Sequence, residues 1–282
     1  MSDAVQQFRV RDVTVGGPQL VLFAGPCLVE DEETTYEMLV RLQEITTQLD
    51  VPFIFKASYD KANRTSVDSE RGPGWQKGLH ILAKVAQRVE VPVLSDVHDV
   101  KQISPAAEVL DMLQIPAFLC RQTDLLVAAG ESGMPINIKK GQFMAPEDMA
   151  HAIGKVTSTG NQSLCVTERG TSFGYHNLVV DMRGLVIMRE LGYPVVFDAT
   201  HSVQLPSGAE GASGGQRALA PALARAAIAV GIDGLFLEVH PDPDAAPCDG
   251  PNMLPLDSVP GLLKQLLAIR EAARADDEGE TD

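Results

Sequence analysis

The feature that most constrains the fold of this chain is an alternation of short apolar runs with longer amphipathic segments. The runs have the length of buried parallel strands, and the longer segments repeat apolar residues at helical spacing. The predicted strands are 20–24, 53–55, 93–94, 112–115, 135–138, 164–166, 195–197 and 235–239, and the predicted helices are 34–49, 75–89, 103–110, 125–129, 146–156, 178–191, 216–230 and 259–273. Such a series of strand–helix units in about 250 residues predicts a closed (β/α)8 barrel, or TIM barrel.

The alternative architecture is an open, doubly wound sheet, which often carries a glycine-rich dinucleotide fingerprint after its first strand. No GxGxxG sequence follows the first apolar run, which argues against the dinucleotide-binding form of that fold. The alternating segment at about 8–16 predicts a short N-terminal hairpin that closes the barrel bottom. We therefore expect one domain over residues 1–274 and an acidic, disordered tail at 275–282.

The charge of the chain limits its partners. The formal net charge is −15, which argues against nucleic acid or an anionic membrane surface as a partner. It does not argue against a small anionic substrate, because a local basic pocket can lie inside an acidic protein. The N-terminus lacks the pattern of a signal peptide, and no apolar run reaches the ~18–20 residues of a membrane span. We therefore expect a cytoplasmic protein.

The cysteines are spread along the chain without a CxxC pair, at Cys27, Cys120, Cys165 and Cys248. In a cytosolic protein, this spacing argues against a disulfide framework and against a four-cysteine zinc site. The sequence therefore predicts neither a disulfide framework nor a zinc site made of the four cysteines.

Polar residues follow every predicted strand, where a TIM barrel carries its functional side chains. They are Cys27, Glu30, Lys56, Asp96, His98, Gln114, Lys139, Lys140, Glu168, Arg169, Asp198, His201, Glu238 and His240. One subset is cationic and comprises Lys56, Lys61, Arg64, Lys139, Lys140 and Arg169. Lysine and arginine on one face of an acidic protein predict a site for a multiply anionic ligand. The segment 56–78 exceeds an ordinary strand–helix loop and predicts a binding loop or lid.

A second subset has the composition of a metal site: Cys27, His201, Glu238 and Asp249. Barrel closure brings the first, seventh and eighth strands side by side, so these residues can converge. A thiolate, an imidazole and two carboxylates suit a divalent first-row metal such as Zn²⁺, Fe²⁺ or Mn²⁺. We expect Asp198 or Glu168 to orient the ring of His201.

Seven blocks of sequence, in order, resemble the 3-deoxy-D-manno-octulosonate 8-phosphate synthases. The blocks are AGPC (24–27), KASYDKANRTS (56–66), LQIPAFLCRQTDLL (113–126), NIKKGQF (137–143), ERGTSFGYHNLVVDMR (168–183), DATHSVQ (198–204) and CDGPNMLPL (248–256). The resemblance implies a transferase of lipopolysaccharide biosynthesis that condenses phosphoenolpyruvate with D-arabinose 5-phosphate and water. It also implies a homotetramer.

The resemblance assigns roles residue by residue. Phosphoenolpyruvate would be held by Lys56, Lys61, Gln114, Lys139 and Arg169. The other substrate-binding residues would be Ser58, Asn63, Arg64, Thr65, Ser66 and, reaching a neighbouring subunit, Arg121. The expected catalytic residues are Lys139, His201, Cys27 and Asp249.

The family has a metal-independent branch with asparagine in place of Cys27, so the resemblance implies the metal-dependent branch, with Cys27, His201, Glu238 and Asp249 as ligands. The sequence around Asp249 is mixed. Cys248 and Pro251 resemble the metal-independent branch, whereas Asn252 and Met253 resemble the dependent one.

Three other functions are compatible with parts of this pattern. The related first enzyme of the shikimate pathway uses erythrose 4-phosphate, but it typically carries Lys-Pro-Arg-Thr where this chain has KANR at 61–64. A barrel glycosidase could use Glu168 and Glu238 as its carboxylate pair, although the single tryptophan, Trp75, leaves few surfaces for sugar stacking. A non-catalytic phosphosugar-binding barrel would have no need of four metal-type ligands.

Overall fold

The computed structural model describes residues 5–64, 66–209 and 212–278. Its strands, in chain order, are β1 (Phe8–Val10), β2 (Val13–Val15), β3 (Val21–Gly25), β4 (Phe53–Lys56), β5 (Val93–Asp96), β6 (Met112–Ile115), β7 (Ile136–Lys139), β8 (Leu164–Glu168), β9 (Thr171–Ser172), β10 (Leu178–Val179), β11 (Val195–Asp198), β12 (Gln204–Ala209), β13 (Ala212–Gly215), β14 (Gly234–His240) and β15 (Leu254–Pro255). Its helices are α1 (Glu32–Gln48), α2 (Trp75–Arg88), α3 (Val100–Ala107), α4 (Thr123–Glu131), α5 (Met149–Thr157), α6 (Arg183–Arg189), α7 (Ala220–Val230) and α8 (Val259–Glu278).

Parallel strands form the predicted closed barrel. Their order around the barrel is β3, β4, β5, β6, β7, β8, β11 and β14, and β14 pairs with β3 to close it. The pairing of Glu238 with Gly25 brings the last strand beside the first, although they are more than 200 residues apart. A helix follows each of these strands and packs apolar residues against its outer face. The (β/α)8 prediction is confirmed.

The N-terminal hairpin plugs the bottom of the barrel, as predicted. Strands β1 and β2 pair antiparallel and bury Phe8, Val10, Val13 and Val15. These side chains belong to one apolar cluster with barrel residues such as Phe23. The bottom is therefore closed by apolar packing, and the polar residues are left at the opposite end.

Two predicted segments differ most from the structure. The predicted helix 178–191 begins only at Arg183, because Leu178 and Val179 pair with Ser172 and Thr171 as a small hairpin. Helix α8 extends to Glu278, so residues 275–278 of the predicted disordered tail continue the helix, while 279–282 lie outside the described residues. Alanine and arginine at 273 and 274 favour helix propagation, which accounts for the extension.

Additional elements surround the carboxyl end of the barrel. They are the hairpins β9–β10 and β12–β13, the strand β15 beside β14, and the long connection from β4 to α2. In the described part of the chain, no helix is long and apolar enough to cross a membrane.

Candidate active site

A cavity of about 390 Å³ opens at the carboxyl end of the barrel. Nine predicted site residues line it: Lys56, Lys61, Asn63, Arg64, Gln114, Lys139, Arg169, His201 and Asp249. Asp96, His98, Gln142, Asp198 and Gln204 also line it. Cations and carboxylates therefore meet in one concave space, where the position of each strand end sets the position of its side chain.

Two lysines converge on Glu238. The ammonium of Lys56 donates to Glu238 Oε1 at 3.0 Å and to Ser58 Oγ at 2.8 Å, and Lys61 donates to the same atoms at 3.4 and 3.0 Å. Burial lowers the pKa of Lys61, but the charges of Glu238 and Asp96 raise it more, so it lies well above the usual value. Lys61 therefore stays charged in the cavity.

A buried polar chain lies behind these lysines. Ser58 donates to Asp96 Oδ1 at 2.5 Å, and His98 Nε2 lies 2.9 Å from Asp96 Oδ2. Burial raises the pKa of Asp96. The hydrogen bond from His98, the charge of His98 and the charges of the nearby lysines lower this pKa by more, so Asp96 is ionised. Ser58, a predicted substrate-binding residue, is fully buried and contacts the lysines rather than lining the cavity.

The second charged group joins Lys139, Asp198 and His201. Lys139 donates to Asp198 Oδ2 at 2.5 Å, and that oxygen also lies 2.7 Å from His201 Nδ1. The Lys139 ammonium lies 3.2 Å from the centre of the Phe236 ring. Burial lowers the pKa of Lys139 to about 8, although the charge of Asp198 opposes the shift. The sequence predicts Asp198 or Glu168 as the residue that orients the His201 ring, and the structure shows that it is Asp198.

The metal-type residues converge as predicted. Ligand atoms of His201, Glu238 and Asp249 lie within 4.8 Å of one another, and Cys27 Sγ lies 3.2 Å from Asp249 Oδ2. Among the described residues, the buried Glu238 Oε2 has no hydrogen-bond partner, and it lies 3.6 Å from His201 Nε2. An unsatisfied buried carboxylate oxygen beside an imidazole nitrogen fits a divalent cation, which would satisfy both.

One disulfide corrects the expectation, drawn from the cysteine spacing, that the chain has no disulfide framework. Cys27 and Cys248 form a disulfide, while Cys120 and Cys165 are free and buried. Sequence spacing could not show this pairing, because 221 residues separate the two cysteines and only barrel closure brings β3 beside the loop after β14.

The guanidinium groups of the cavity are incompletely paired. Arg169 donates through Nη2 to Gln204 Oε1 at 2.9 Å, and its buried Nη1 has no partner among the described residues. Arg64 Nη1 lies 4.0 Å from Asp249 Oδ1. The buried Nε of Arg64 also has no hydrogen-bond partner within the residues that the structure describes. Buried donors normally find acceptors, so an anionic ligand would complete both groups.

Lys140 and Glu168 do not belong to the cavity, which corrects their predicted roles. Lys140 donates to Met144 O and Thr171 Oγ1, both at 3.2 Å, and lies 3.5 Å from Glu168 Oε2. Glu168 Oε1 accepts from the backbone nitrogens of Arg169 and Gly170. Successive residues of an extended chain point to opposite faces, so Lys139 faces the cavity and Lys140 faces away. The Glu168–Glu238 pair of a glycosidase is therefore not assembled.

Some predicted substrate residues lie outside the cavity lining. Ser66 Oγ accepts from the Asp68 nitrogen at 3.3 Å, and Arg121 is exposed on the surface after β6. Thr65 lies outside the described residues. Arg71, in the same long connection, pairs with Asp60 at 2.6 Å. The loop therefore delivers Lys61, Asn63 and Arg64 to the cavity.

Sequence reasoning gave no role to Asn137, which positions a predicted ligand-binding residue. Asn137 Nδ2 donates to Gln114 Oε1 at 3.0 Å, and its Oδ1 accepts from Thr167 Oγ1 at 2.5 Å. A signal was present, because an asparagine inside an apolar strand requires a buried partner.

Fold and site together define a class: TIM barrels whose strand ends present buried cations beside a metal-type donor set. The profile of the DAHP synthetase I family matches residues 4–274. The chain belongs to this family.

Curated relatives cover nearly the whole chain. The 2-dehydro-3-deoxyphosphooctonate aldolase of Syntrophotalea carbinolica is 64% identical over 262 residues, which span 93% of this chain and 95% of that protein. The protein of the same name from Desulfatibacillum aliphaticivorans is 62% identical over 262 residues, 93% of this chain and 96% of that protein. The Geobacter metallireducens protein, also of that name, is 60% identical over 265 residues, 94% and 97% of the two chains.

Proposed function

We propose that this protein condenses phosphoenolpyruvate with D-arabinose 5-phosphate and water, giving 3-deoxy-D-manno-octulosonate 8-phosphate and inorganic phosphate for lipopolysaccharide biosynthesis. The observation that carries the proposal is the cavity of buried cations with open hydrogen-bond donors, in a chain 58–64% identical to proteins named 2-dehydro-3-deoxyphosphooctonate aldolase. Both substrates are small anions, so they complement this cavity without requiring a basic protein.

The chemistry joins two carbons and releases phosphate. The methylene carbon of phosphoenolpyruvate forms a bond to the aldehyde carbon of the pentose, and positive charge develops at C2. Water adds its oxygen to C2, and the C–O bond to phosphate then breaks. The enzyme must therefore orient two anions and bring water to one face of C2.

We assign phosphoenolpyruvate to the side of the cavity formed by Lys56, Lys61, Gln114, Lys139 and Arg169. Lys139 and Arg169 are buried and face the cavity, and the open Nη1 of Arg169 gives a donor for a carboxylate or phosphate oxygen. Donors fixed in a dry site stabilise developing charge without reorganisation. Lys139 is held by Asp198 at 2.5 Å before the ligand arrives.

The pentose and its phosphate are assigned to the loop after β4, through Asn63, Arg64, Thr65 and Ser66. Arg64 supports this assignment, because it lies in the cavity next to Asp249 with an open Nε donor. Arg121 is assigned to the phosphate site of a neighbouring subunit, because it is exposed and lies outside the cavity of its own chain.

A divalent cation, such as Zn²⁺, Fe²⁺ or Mn²⁺, would be held by Cys27, His201, Glu238 and Asp249. When bound there, it would supply positive charge that polarises the aldehyde carbonyl or orients water. His201 would contribute Nε2, because Nδ1 is engaged by Asp198. Glu238 would contribute Oε2, because Oε1 accepts from the lysines. The metal role requires Cys27 in its reduced form.

We also propose a cytoplasmic homotetramer. Large apolar side chains are exposed on successive loops at the carboxyl end of the barrel, namely Phe118, Phe143, Phe173 and Tyr175. Exposed aromatic residues at neighbouring positions are typical of protein–protein contacts. Phe118 lies in the same loop as Arg121, and the other three follow the neighbouring strands β7 and β8. This placement supports a subunit contact in which Arg121 reaches a second subunit.

The test is phosphate release from phosphoenolpyruvate, measured with D-arabinose 5-phosphate, with erythrose 4-phosphate and with neither sugar. Release that depends on the pentose, with product identified by mass, is expected. Phosphate release in the presence of erythrose 4-phosphate, but not of D-arabinose 5-phosphate, would assign the chain to the shikimate-type reaction. Binding of the pentose without release would indicate a phosphosugar-binding protein.

A further inference from the structure

Two cysteine side chains meet at the edge of the proposed metal site. Cys27 follows β3 and Cys248 lies in the loop after β14, with their Cα atoms 6.5 Å apart and their sulfurs joined. Both are almost fully buried and belong to a small apolar cluster with Leu28 and Met253. The pair is therefore a product of barrel closure rather than of local sequence.

The same sulfur also belongs to the metal-type donor set. Cys27 Sγ lies 3.2 Å from Asp249 Oδ2, and the ligand atoms of Cys27, Cys248 and Asp249 lie within 4.8 Å of one another. Asp249 is shared with the group that contains His201 and Glu238. Metals bind the thiolate form of cysteine, so a sulfur that is bonded to another sulfur is lost as an ordinary ligand.

We propose that Cys27 and Cys248 form a reversible disulfide that competes with the divalent metal for Cys27, so that the oxidation state of this pair decides whether the site can hold the metal. The proposal rests on the metal ligands assigned under the proposed function. It adds a role for Cys248, which is not among those ligands.

The redox step balances with a hydroperoxide as oxidant. One thiol transfers two electrons to hydrogen peroxide and becomes a sulfenic acid with release of water. The second thiol then attacks this sulfur, an S–S bond forms, and a second water leaves. Two thiols and one peroxide thus give one disulfide and two waters, and a dithiol reductant reverses the change.

The other two cysteines provide internal controls. Burial raises the pKa values of the Cys120 and Cys165 thiols. A raised pKa lowers the fraction of reactive thiolate. Asp249, which lies 3.2 Å from Cys27 Sγ, lines the open cavity, so the Cys27–Cys248 pair lies one side chain away from that cavity. We expect oxidation to act on this pair first.

The experiment compares reduced and peroxide-treated metal-free protein. Alkylation followed by intact mass and peptide mapping counts the thiols and locates the cross-link, and calorimetry with Zn²⁺ measures metal affinity. We expect a cross-link between the peptides of Cys27 and Cys248. We also expect a loss of Zn²⁺ affinity greater than the 10–100-fold typical of losing an outer partner of a ligand. Dithiothreitol should restore both thiols and affinity.

Two variants separate the pair from general oxidation. Cys248→Ser removes the partner, so peroxide should carry Cys27 beyond sulfenic acid, and dithiothreitol should no longer restore Zn²⁺ binding. Cys120→Ser should behave as the unaltered chain does, with reversible loss of affinity. Zn²⁺ added before peroxide should protect both thiols of the pair.

Three results would overturn the proposal: no Cys27–Cys248 cross-link after peroxide, an oxidised protein that binds Zn²⁺ as tightly as the reduced one, or a reduced protein that binds no metal. The phosphate-release assay, run on reduced protein, judges the proposed reaction separately. If the disulfide and the metal compete for Cys27 but the reduced protein does not catalyse the condensation, the proposed reaction is refuted and this inference stands.

Discussion

The cavity has two sides that are built differently. The cationic side comprises Lys56, Lys61, Lys139 and Arg169, which line the cavity. The donor side comprises His201 and Asp249, which also line it, and the buried Glu238 and Cys27 next to them. Three of the four cationic residues lie on strands or directly after them, and the lysines are neutralised by buried carboxylates. On the donor side, Glu238 lies on β14, whereas Cys27, His201 and Asp249 follow strand ends, and Asp249 adopts a left-handed backbone with φ of 51°.

This difference has a physical origin. A buried ammonium needs a counter-ion whether or not a ligand is present, so the three lysines of the cationic side are paired before substrate binds, and Arg169 keeps one open donor there. Metal donors instead repel one another until a cation arrives, and the donor side keeps an unsatisfied Glu238 oxygen and a sulfur that can bond elsewhere. We therefore expect the cationic side to be rigid and the donor side to be sensitive to metal and redox conditions.

The largest effect is expected on the cationic side. Lys139→Met removes an ammonium that faces the substrate, and we expect kcat/KM to fall by about 10²–10³, as for the loss of one preorganised donor. The neighbouring Lys140→Met is the matched control, because Lys140 faces away from the cavity and lies 3.5 Å from Glu168.

Lys140→Met should act on stability instead. Among the described residues, it leaves the buried Glu168 with backbone donors only, and we expect a loss of roughly 3 kcal/mol in the free energy of unfolding, measured in urea. The folded fraction of this variant should retain most of its turnover. A large catalytic loss in folded Lys140→Met would contradict the separation of the two lysines.

The next effect probes the donor side. Chelation of the reduced enzyme should lower turnover by roughly 100-fold or more, because the positive charge at the aldehyde is lost. Binding of phosphoenolpyruvate, measured by calorimetry, should change far less, since the cationic side contains its own cations. Cys27→Asn, the residue of the metal-independent branch, should reduce the sensitivity of turnover to the chelator. Full activity of the original chain in chelator would show that the donor side is not needed.

A smaller effect is expected where the two sides meet. Arg64→Ala should raise the KM for D-arabinose 5-phosphate by about 10- to 100-fold, as expected for a charge-assisted contact. The KM for phosphoenolpyruvate should change by only a few-fold. Arg71→Ala, in the same loop, removes an exposed pair with Asp60 and should change neither constant. Equal effects of Arg64→Ala on both substrates would refute the loop assignment.

The smallest effect concerns pH. Burial lowers the pKa of Lys139 to about 8 in the free enzyme, so kcat/KM for phosphoenolpyruvate should decline above about pH 8 as the ammonium loses its proton. Lys139→Arg should move this decline to higher pH, because arginine stays protonated. An unchanged alkaline limb in Lys139→Arg would assign the decline to another group.

The same shift predicts how stability depends on pH. The folded pKa of Lys139 lies below the ordinary value of 10.5, so the unfolded chain binds more protons between about pH 8 and 10.5. The contribution of Lys139 to stability should therefore rise with pH across that window. Urea unfolding of the original chain and of Lys139→Met, compared at both ends of the window, measures it.

Much of this structure could be predicted from local patterns. The apolar runs placed all barrel strands, and the alternating N-terminal segment placed the hairpin, because burial on one or both faces leaves a periodic signature. Most of the polar cavity residues followed from the rule that strand ends of a TIM barrel carry function. The helix predicted at 178–191 failed in its first part, because Leu178 and Val179 found strand partners at Thr171 and Ser172 that no local period reveals.

Direction and pairing were harder to predict than position. Lys139 and Lys140 are the same residue type at adjacent positions. They differ in the direction of their side chains, because Lys139 points into the cavity and Lys140 points toward Glu168. Arg169 was predicted as a cation, but its open Nη1 donor depends on the single contact made with Gln204.

The sequence by itself determined the barrel, the family resemblance and the residue types at the strand ends, because periodic burial and motif blocks are local properties. Only the tertiary structure decided which of those residues meet. It placed two lysines on one oxygen of Glu238, Asp198 between Lys139 and His201, and Cys248 against Cys27. The physical reason is closure of the barrel, which joins β14 to β3 and brings distant loops within bonding distance.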